Sequence, residues 1–537
     1  MNAPEFLQDS PDALTDRALR RVQEYLARGL HDAAEAAAVA QAKRTPHRFD
    51  VWLVASFAHG AAGHVRAAEF AVGRALAIRP AHPSAMLQHA RLSLANGRTA
   101  AALASLGALA EEHVLDHDLG LRVIEMLNRL GECERAQALV LNLQGRSDEE
   151  SVPLMLAQAE TFAQSGDWDN AASIYAELVK TQPRMAYAQL GLAKLQPDRV
   201  DGRLLEQYLT QAQAGTDTEV WLAHAAYRAF EAAGDFASAS RMLTRALVSR
   251  RRQYQYSAAA DGPVFEALRQ SLPMLATSAR ESPAEAGDDV TPLFVMGLPG
   301  SGAALIERVL GNHPQVCNGG ELPEFAGVVR EIGGFDGQSL INTSLIERFD
   351  HIDWDTVGNR YRERLRARYP GARYVTDCGN ANPLYAAAIL RALPEARVIH
   401  VLCEPMQQCF ELLREHADEA CPYSNDQAEL VAHYLAMADW MRQVESAFPK
   451  RVQSVRYEQW RAVPGLVSRA VFRFCDLSFE PGWEDPERNR KPIGFGNLSR
   501  RQPVPSAAQS ENWRNHRELL QPMHGLLANA GLVPRES

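Results

Sequence analysis

Two patterns of hydrophobic and polar positions divide the chain of 537 residues. In the first half, apolar residues recur at i, i+3, i+4 and i+7, as in AEFAVGRALAI and AASIYAELVKT, which predicts amphipathic helices. In the second half, short apolar runs such as TPLFVM and ARVIHVL alternate with helical stretches. Strands that alternate with helices are typical of a mostly parallel sheet. The pattern therefore predicts an α-helical region followed by an α/β region.

A glycine recurs through the helical half at intervals of 34, 34, 34, 35 and 68 residues, and an alanine follows five positions after each glycine. The glycines are Gly29, Gly63, Gly97, Gly131, Gly166 and Gly234. Glycine suits a left-handed turn between two helices, and alanine lets the next helix pack closely. The spacing resembles the tetratricopeptide repeat (TPR) family over residues 12–250. That resemblance implies an α-solenoid whose concave surface binds a protein or peptide partner.

Residues 251–290 include the polar stretch SARESPAEAGDD, which predicts a linker. The helical half before it contains no cluster of catalytic residue types. Five histidines there lack the paired spacing of metal ligands, so we predict solvated or core roles for them and no metal site. These are His47, His59, His64, His82 and His89.

The candidate chemistry lies in FVMGLPGSGAALI, residues 294–306, where a strand leads into a glycine-rich turn and a helix. Such a turn directs backbone N–H groups towards an anion. Gly297 and Gly302 have the spacing of the P-loop, but Ala303 and Ala304 stand where that motif needs lysine and a hydroxyl. A nucleotide kinase or hydrolase is therefore disfavoured. The loop suits a phosphate that is held without a metal.

Residues 291–537 resemble the sulfotransferases that use 3′-phosphoadenosine-5′-phosphosulfate (PAPS), and in particular a TPR-linked bacterial group similar to tyrosylprotein sulfotransferases. The matching segments are FVMGLPGSGAALIERVLGNHPQVCNGGEL, VTDCGNANPLY, ARVIHVLCEP, VRYEQW and SRRQPVPSAAQSENW. The resemblance implies a three-layer α/β P-loop-like sulfotransferase domain with a mostly parallel sheet, following the TPR α-solenoid.

The same resemblance implies roles for individual residues. Glu321 would be the general base that takes the proton of an acceptor hydroxyl. The PAPS co-substrate would be bound by the loop after the first strand, by Tyr457 and by the segment that begins at Ser499. The loop residues are Gly297, Pro299, Gly300, Ser301, Gly302, Ala303 and Ala304.

Several positions that would contact phosphate or sulfate depart from the family pattern. Gly300 replaces the loop arginine, Cys378 a lysine and Cys403 an arginine, while Glu411 replaces the serine that would meet the 3′-phosphate. Further departures are Ala303, Ala304 and Asn512. Losing three hydrogen bonds to a charged group would cost about 4.5–9 kcal/mol of binding free energy. Basic residues such as Arg414 are candidates for partial compensation.

Composition narrows the functional classes. The net charge of -10 argues against a basic surface over the whole protein that would bind DNA or RNA. The seven cysteines include no CxxC pair, which argues against a four-cysteine zinc site. The first residues form no signal peptide and no run of about 18 apolar residues occurs, so we expect a cytoplasmic protein without a membrane span. Two functions stay open. One is sulfuryl transfer from PAPS to a hydroxyl acceptor, and the other is a catalytically degenerate sulfotransferase fold that acts as a TPR interaction scaffold.

Overall fold

The computed structural model describes residues 11–112, 115–146, 151–254, 256–277, 290–337, 341–415, 421–489 and 507–534. The chain forms two compact units. One comprises residues 1–126 with 323–340, and the other comprises residues 127–322 with 341–537. The segment 323–340, which the sequence boundaries assign to the C-terminal domain, thus groups with the first repeats. The predicted linker over 251–290 stays a prediction.

Helices occupy almost all of the described chain before residue 278. They are α1 (Pro11–Ala27), α2 (His31–Arg44), α3 (Phe49–Ala61), α4 (Val65–Ile78), α5 (Pro83–Ala95), α6 (Thr99–Glu112), α7 (His117–Arg129), α8 (Cys133–Gln144), α9 (Val152–Ser165), α10 (Trp168–Thr181), α11 (Ala186–Leu195), α12 (Gly202–Leu209), α13 (Asp217–Ala232), α14 (Phe236–Gln253) and α15 (Asp261–Thr277).

The repeat signature has a direct structural cause. All six repeat glycines are left-handed, with φ between +65° and +84°. Only glycine adopts this conformation without steric cost, so it allows the tight turn between paired helices. The six alanines that follow are completely buried, at 0% exposure: Ala34, Ala68, Ala102, Ala136, Ala171 and Ala239. The predicted TPR-type helical hairpins are confirmed.

A five-stranded sheet follows in the second unit. Its strands are β1 (Thr291–Met296), β2 (Val316–Cys317), β3 (Tyr374–Asp377), β4 (Arg397–Leu402) and β5 (Val452–Arg456). The order is β2-β3-β1-β4-β5, and every neighbouring pair is parallel. All six residues of β1 are buried, as expected where a parallel sheet is covered on both faces. The predicted α/β region is confirmed.

The remaining helices follow β1 in the chain. They are α16 (Ala303–Leu310), α17 (Glu324–Ile332), α18 (Thr343–Ile346), α19 (Trp354–Arg368), α20 (Asn382–Ala392), α21 (Pro405–Arg414), α22 (Gln427–Ala447), α23 (Tyr457–Ala462), α24 (Pro464–Phe474) and α25 (Arg517–Asn529). Helix α17 among them belongs to the first unit. Within the described residues, no helix is both long and apolar enough to cross a membrane.

Helix α17 packs on repeat turns of its own unit. Arg330 donates a hydrogen bond to the carbonyl oxygen of Ala95 (2.7 Å), and Arg66 donates to the carbonyl oxygen of Glu331 (2.5 Å). The hydroxyl of Thr99 donates to the buried carboxylate of Glu324. Residues 323–337 are therefore anchored to α4–α6 by side chains that originate on both sides of the contact.

Candidate functional site

The segments that resemble the sulfotransferase site meet at the carboxyl edge of the parallel sheet. The glycine-rich loop follows β1, Cys378 follows β3, Cys403 follows β4 and Tyr457 follows β5. Ligands of open α/β folds bind at this edge, because loops from several strands converge there. We expect these elements to converge beneath a cofactor, and they do end at one edge of the sheet. Their roles in binding stay a prediction.

Hydrogen bonds between its own residues stabilise the first part of the loop. The N–H of Ser301 donates to the carbonyl oxygen of Leu298 (3.0 Å), and its hydroxyl accepts from the N–H of Ala303 (3.4 Å). A Cβ on Gly297 would lie 2.3 Å from the Ser301 hydroxyl, so this close turn requires glycine. Ser301 is only 1% exposed, and its side chain supports the loop from within.

Two side chains lie over the outer part of the loop. Gly300 and Gly302 are left-handed, with φ of +82° and +89°. A Cβ on Gly302 would lie 2.6 Å from the ring of Tyr457, and one on Gly300 would lie 2.9 Å from Cβ of Glu411. An arginine at position 300 would therefore meet both backbone strain and the Glu411 side chain. The other predicted loop residues, Pro299, Ala303 and Ala304, are half-buried.

A buried carboxylate on α16 fixes the segment that carries Glu321. Oε1 of Glu307 accepts hydrogen bonds from the N–H of Gly320 (2.9 Å) and from the hydroxyl of Thr376 (2.8 Å). The carbonyl oxygen of Gly320 in turn accepts from the N–H of Cys378 (2.7 Å). Glu321 is half-buried and directly follows this anchored residue. The structure thus gives the predicted base a defined backbone position at the sheet edge.

The two cysteines that replace basic residues contribute no positive charge. Cys378 and Cys403 are 4% and 5% exposed, in an apolar cluster that includes Leu305, Tyr457 and Trp460. Burial raises the pKa of the Cys403 thiol far above its usual range. Both side chains therefore act as small apolar groups here.

Glu411 belongs to a hydrogen-bonded network on α21. Its carboxylate accepts from Gln407 (2.7 Å) and from Arg414 (2.9 Å). Burial raises the pKa of Glu411, and the charge of Arg414 opposes that rise. Arg414 also donates to both carboxylate oxygens of Glu231 on α13, at 3.2 Å each. The guanidinium that was a candidate for compensation is thus shared between two carboxylates of the protein.

A second ion pair lies beside the first. Arg228 on α13 donates to Glu415 at 2.9 Å. Although burial opposes ionisation, Arg228 and Arg414 lower the pKa of Glu415 to about 2. Sequence reasoning missed this link between a repeat helix and α21, because its members are nearly two hundred residues apart.

Tyr457, which the resemblance implies as a cofactor contact, directly follows β5. It is 8% exposed, and its ring stacks on Trp460 with the centroids 5.9 Å apart. Its ring lies beside Gly302 in the loop. Ser499, the remaining predicted cofactor residue, lies outside the described residues.

Comparison with known proteins bears on the family resemblance of the C-terminal region. A family model described as the sulfotransferase family matches residues 292–481. An uncharacterized protein from Aquifex aeolicus (strain VF5) is 25% identical over 247 residues, which cover 44% of this chain and 32% of that protein. The chain thus spans about a third of the length of that relative. The family match confirms the predicted resemblance of the C-terminal region.

Solved structures with similar parts were also found. A tetratricopeptide repeat protein from Parabacteroides merdae ATCC 43184 is 15% identical and covers 43% of this chain and 91% of its own, with a TM-score of 0.34. The sulfotransferase domain of the Synechococcus PCC 7002 olefin synthase is 14% identical and covers 46% of this chain and 98% of its own, with a TM-score of 0.29. A sulfotransferase from Alicyclobacillus acidocaldarius is 15% identical, covers 46% and 96%, and has a TM-score of 0.25.

Proposed function

We propose that this TPR-containing sulfotransferase homologue works as an interaction protein, and that its C-terminal domain has lost ordinary PAPS-dependent catalysis. The observation that carries the proposal is the position of Glu411. Its Cβ lies 2.9 Å from where a side chain on Gly300 would begin, and its carboxylate is held by Gln407 and Arg414.

Electrostatics argue against tight PAPS binding in this arrangement. In the resembling family the equivalent of Glu411 would hydrogen-bond the 3′-phosphate, whereas a carboxylate there repels it. Unfavourable juxtaposition of like charges costs several kcal/mol. The neighbouring Arg414 is already engaged by Glu231 and Glu411, so it has little charge left to offer an incoming phosphate.

The repeats supply the surface for a partner. In the first unit, a cleft of about 560 Å³ lies among α1, α3, α5 and α7. Apolar side chains such as Leu53, Phe57 and Leu87 line it together with charged groups, including Arg91 and Asp118. A cleft that combines apolar contacts with charges of both signs suits a peptide segment or a protein surface.

Calorimetric titration with PAP, the desulfated cofactor, tests the proposal. We expect no saturable binding to the full chain at micromolar concentrations. In a Glu411→Gln variant the repelling charge is removed, one acceptor oxygen remains and an amide donor is gained, so measurable affinity should rise relative to wild type. Low-micromolar binding by the wild type would overturn the proposal.

Sulfuryl transfer is the second candidate, and the anchored Glu321 favours it. In that reaction the acceptor oxygen attacks sulfur, the bond between sulfur and the phosphate oxygen breaks, PAP leaves, and Glu321 takes the acceptor proton. Transfer of labelled sulfate from PAPS would be abolished by Glu321→Gln. The same change at the exposed Glu347 should leave the transfer unaltered.

A further inference from the structure

Glu35, His59 and His64 form a compact cluster among the first repeats. Glu35 lies on α2, His59 lies on α3, and His64 immediately precedes α4. One nitrogen of each histidine and one carboxylate oxygen all lie within 4.8 Å of one another. No other group of three such residues meets this condition in the part of the chain that the structure describes.

The two imidazoles point at the same atom. Nδ1 of His59 lies 2.7 Å and Nδ1 of His64 lies 2.5 Å from Oε1 of Glu35. Ligands placed about 2.1 Å from a shared tetrahedral ion are roughly 3.4 Å apart. Small side-chain movements would therefore open enough space for a cation between the three atoms.

The repeat turn holds the histidines in this arrangement. His59 and His64 flank the left-handed Gly63, and the N–H of His64 donates to the carbonyl oxygen of His59 (2.9 Å). The His59 and Glu35 side chains are only 14% and 19% exposed, while that of His64 is 49% exposed. Two ligands are thus fixed on packed helices, and the third faces solvent, through which an ion can enter.

Acidic groups outside the cluster favour a cation. Asp32 and Asp336 both act electrostatically on His64. The side chain of Asp336 accepts a hydrogen bond from the N–H of Arg66 (3.1 Å), which holds that carboxylate at the start of α4. These two carboxylates add negative charge near His64, the solvent-facing member of the cluster.

We propose that Glu35, His59 and His64 bind a divalent metal ion of the first transition row, most naturally zinc, and that water completes the coordination. Two imidazoles and one carboxylate form a ligand set suited to this chemistry. A bound ion would join α2, α3 and the turn before α4, and would thereby fasten two consecutive repeats. The sequence predicted no metal site here, because Glu35 belongs to a different helix from the two histidines.

Titration of the metal-stripped full chain with Zn²⁺ and with Co²⁺ tests the site. We expect one equivalent to bind with micromolar or tighter affinity, and we expect visible cobalt absorption without the strong thiolate-to-cobalt bands of a cysteine site. Glu35→Gln and His64→Gln should each weaken binding at least tenfold. His47→Gln, at an exposed histidine outside the cluster, should bind as the wild type does.

Circular dichroism of each variant separates loss of the site from loss of the fold. Because His64 is half exposed, its replacement is expected to leave the helical spectrum unchanged. The proposal is overturned if no saturable binding occurs, if cobalt shows thiolate bands, or if folded Glu35→Gln and His64→Gln variants bind as tightly as His47→Gln.

Discussion

Asp377 is a buried acid at the end of β3 that depends on neutral partners. Its carboxylate accepts from the hydroxyl of Tyr361 (2.6 Å), the amide of Asn382 (2.7 Å) and the N–H of Gly379 (3.1 Å). Burial raises its pKa to about 6, although these hydrogen bonds act in the opposite direction. The residue therefore binds its proton more tightly in the folded protein than in the unfolded chain.

The pH dependence of stability follows from that difference. Between the unfolded pKa of about 4 and the folded pKa of about 6, the folded state binds more protons, so the Asp377 contribution to stability is lost as pH rises. The loss should total about 3 kcal/mol, at 1.36 kcal/mol per pKa unit. Urea unfolding from pH 4 to 7 should show this slope in the wild type and a flatter one in Asp377→Asn.

Replacing the exposed Asp350 with asparagine controls for the general effect of removing one carboxylate. Its profile should follow that of the wild type. Parallel profiles for wild type and Asp377→Asn would contradict the assignment of this titration to Asp377.

At the scale of elements, local signals were enough to predict the repeats and the loop. Gly131 and Ala136, for example, predict a turn and a buried position near the start of the next helix, and they lie only five positions apart. The structure confirms both. The motifs after β1, β3 and β4 could be placed at one edge because parallel strands end on the same side. The pairing of Glu231 with Arg414 could not be predicted, because the two residues are 183 positions apart and neither helix pattern indicates its partner.

Helix α17 is one element whose grouping departs from the sequence boundaries, and Gly97 provides a test of its anchoring. A Cβ on Gly97 would lie 2.4 Å from the carbonyl oxygen of Pro323, directly before α17. Gly97→Ala should displace this segment and accelerate amide hydrogen exchange over residues 324–332. Weakening one or two hydrogen bonds by about 1–2 kcal/mol would speed local opening roughly 5- to 30-fold.

Gly29 provides the matched control, since it occupies the equivalent turn of another repeat. Its φ is +70°, close to the +65° of Gly97, but a Cβ there would contact nothing within 4 Å. Gly29→Ala should therefore show the backbone strain alone and leave exchange in α17 unchanged. Equal exchange in the two variants would mean that the contact with Pro323 does not hold the helix.

At the scale of the whole molecule, the division into compact units does not follow the division into sequence families. The second unit contains repeat helices from residue 127 onwards together with the sheet, while α17 belongs with the first repeats. Repeat helix α13 reaches α21 through Arg228 and Glu231, which contact Glu415 and Arg414. The later repeats therefore form part of the structural support of the sulfotransferase-like domain.

The guanidinium of Arg414 pairs with Glu231 on α13 and with Glu411 on α21. Arg414→Met should therefore destabilise the second unit strongly. The change leaves the poorly exposed carboxylates of Glu231 and Glu411, at 16% and 21%, without their shared cation. Removing one partner of a buried ion network costs about 3–5 kcal/mol.

A second substitution and a surface control test this cause. Adding Glu411→Gln to Arg414→Met should restore part of the lost stability, because one of the two uncompensated negative charges disappears. Arg442→Met, which removes a 75% exposed arginine from a surface ion pair with Asp439, should cost less than about 1 kcal/mol. Urea unfolding followed by far-UV circular dichroism and by tryptophan fluorescence measures the three variants. If α13 and the sheet unfold as one unit, Arg414→Met shifts both signals by the same amount. A shift no larger than that of Arg442→Met would show that the network is dispensable and that the repeats are supported by apolar packing alone.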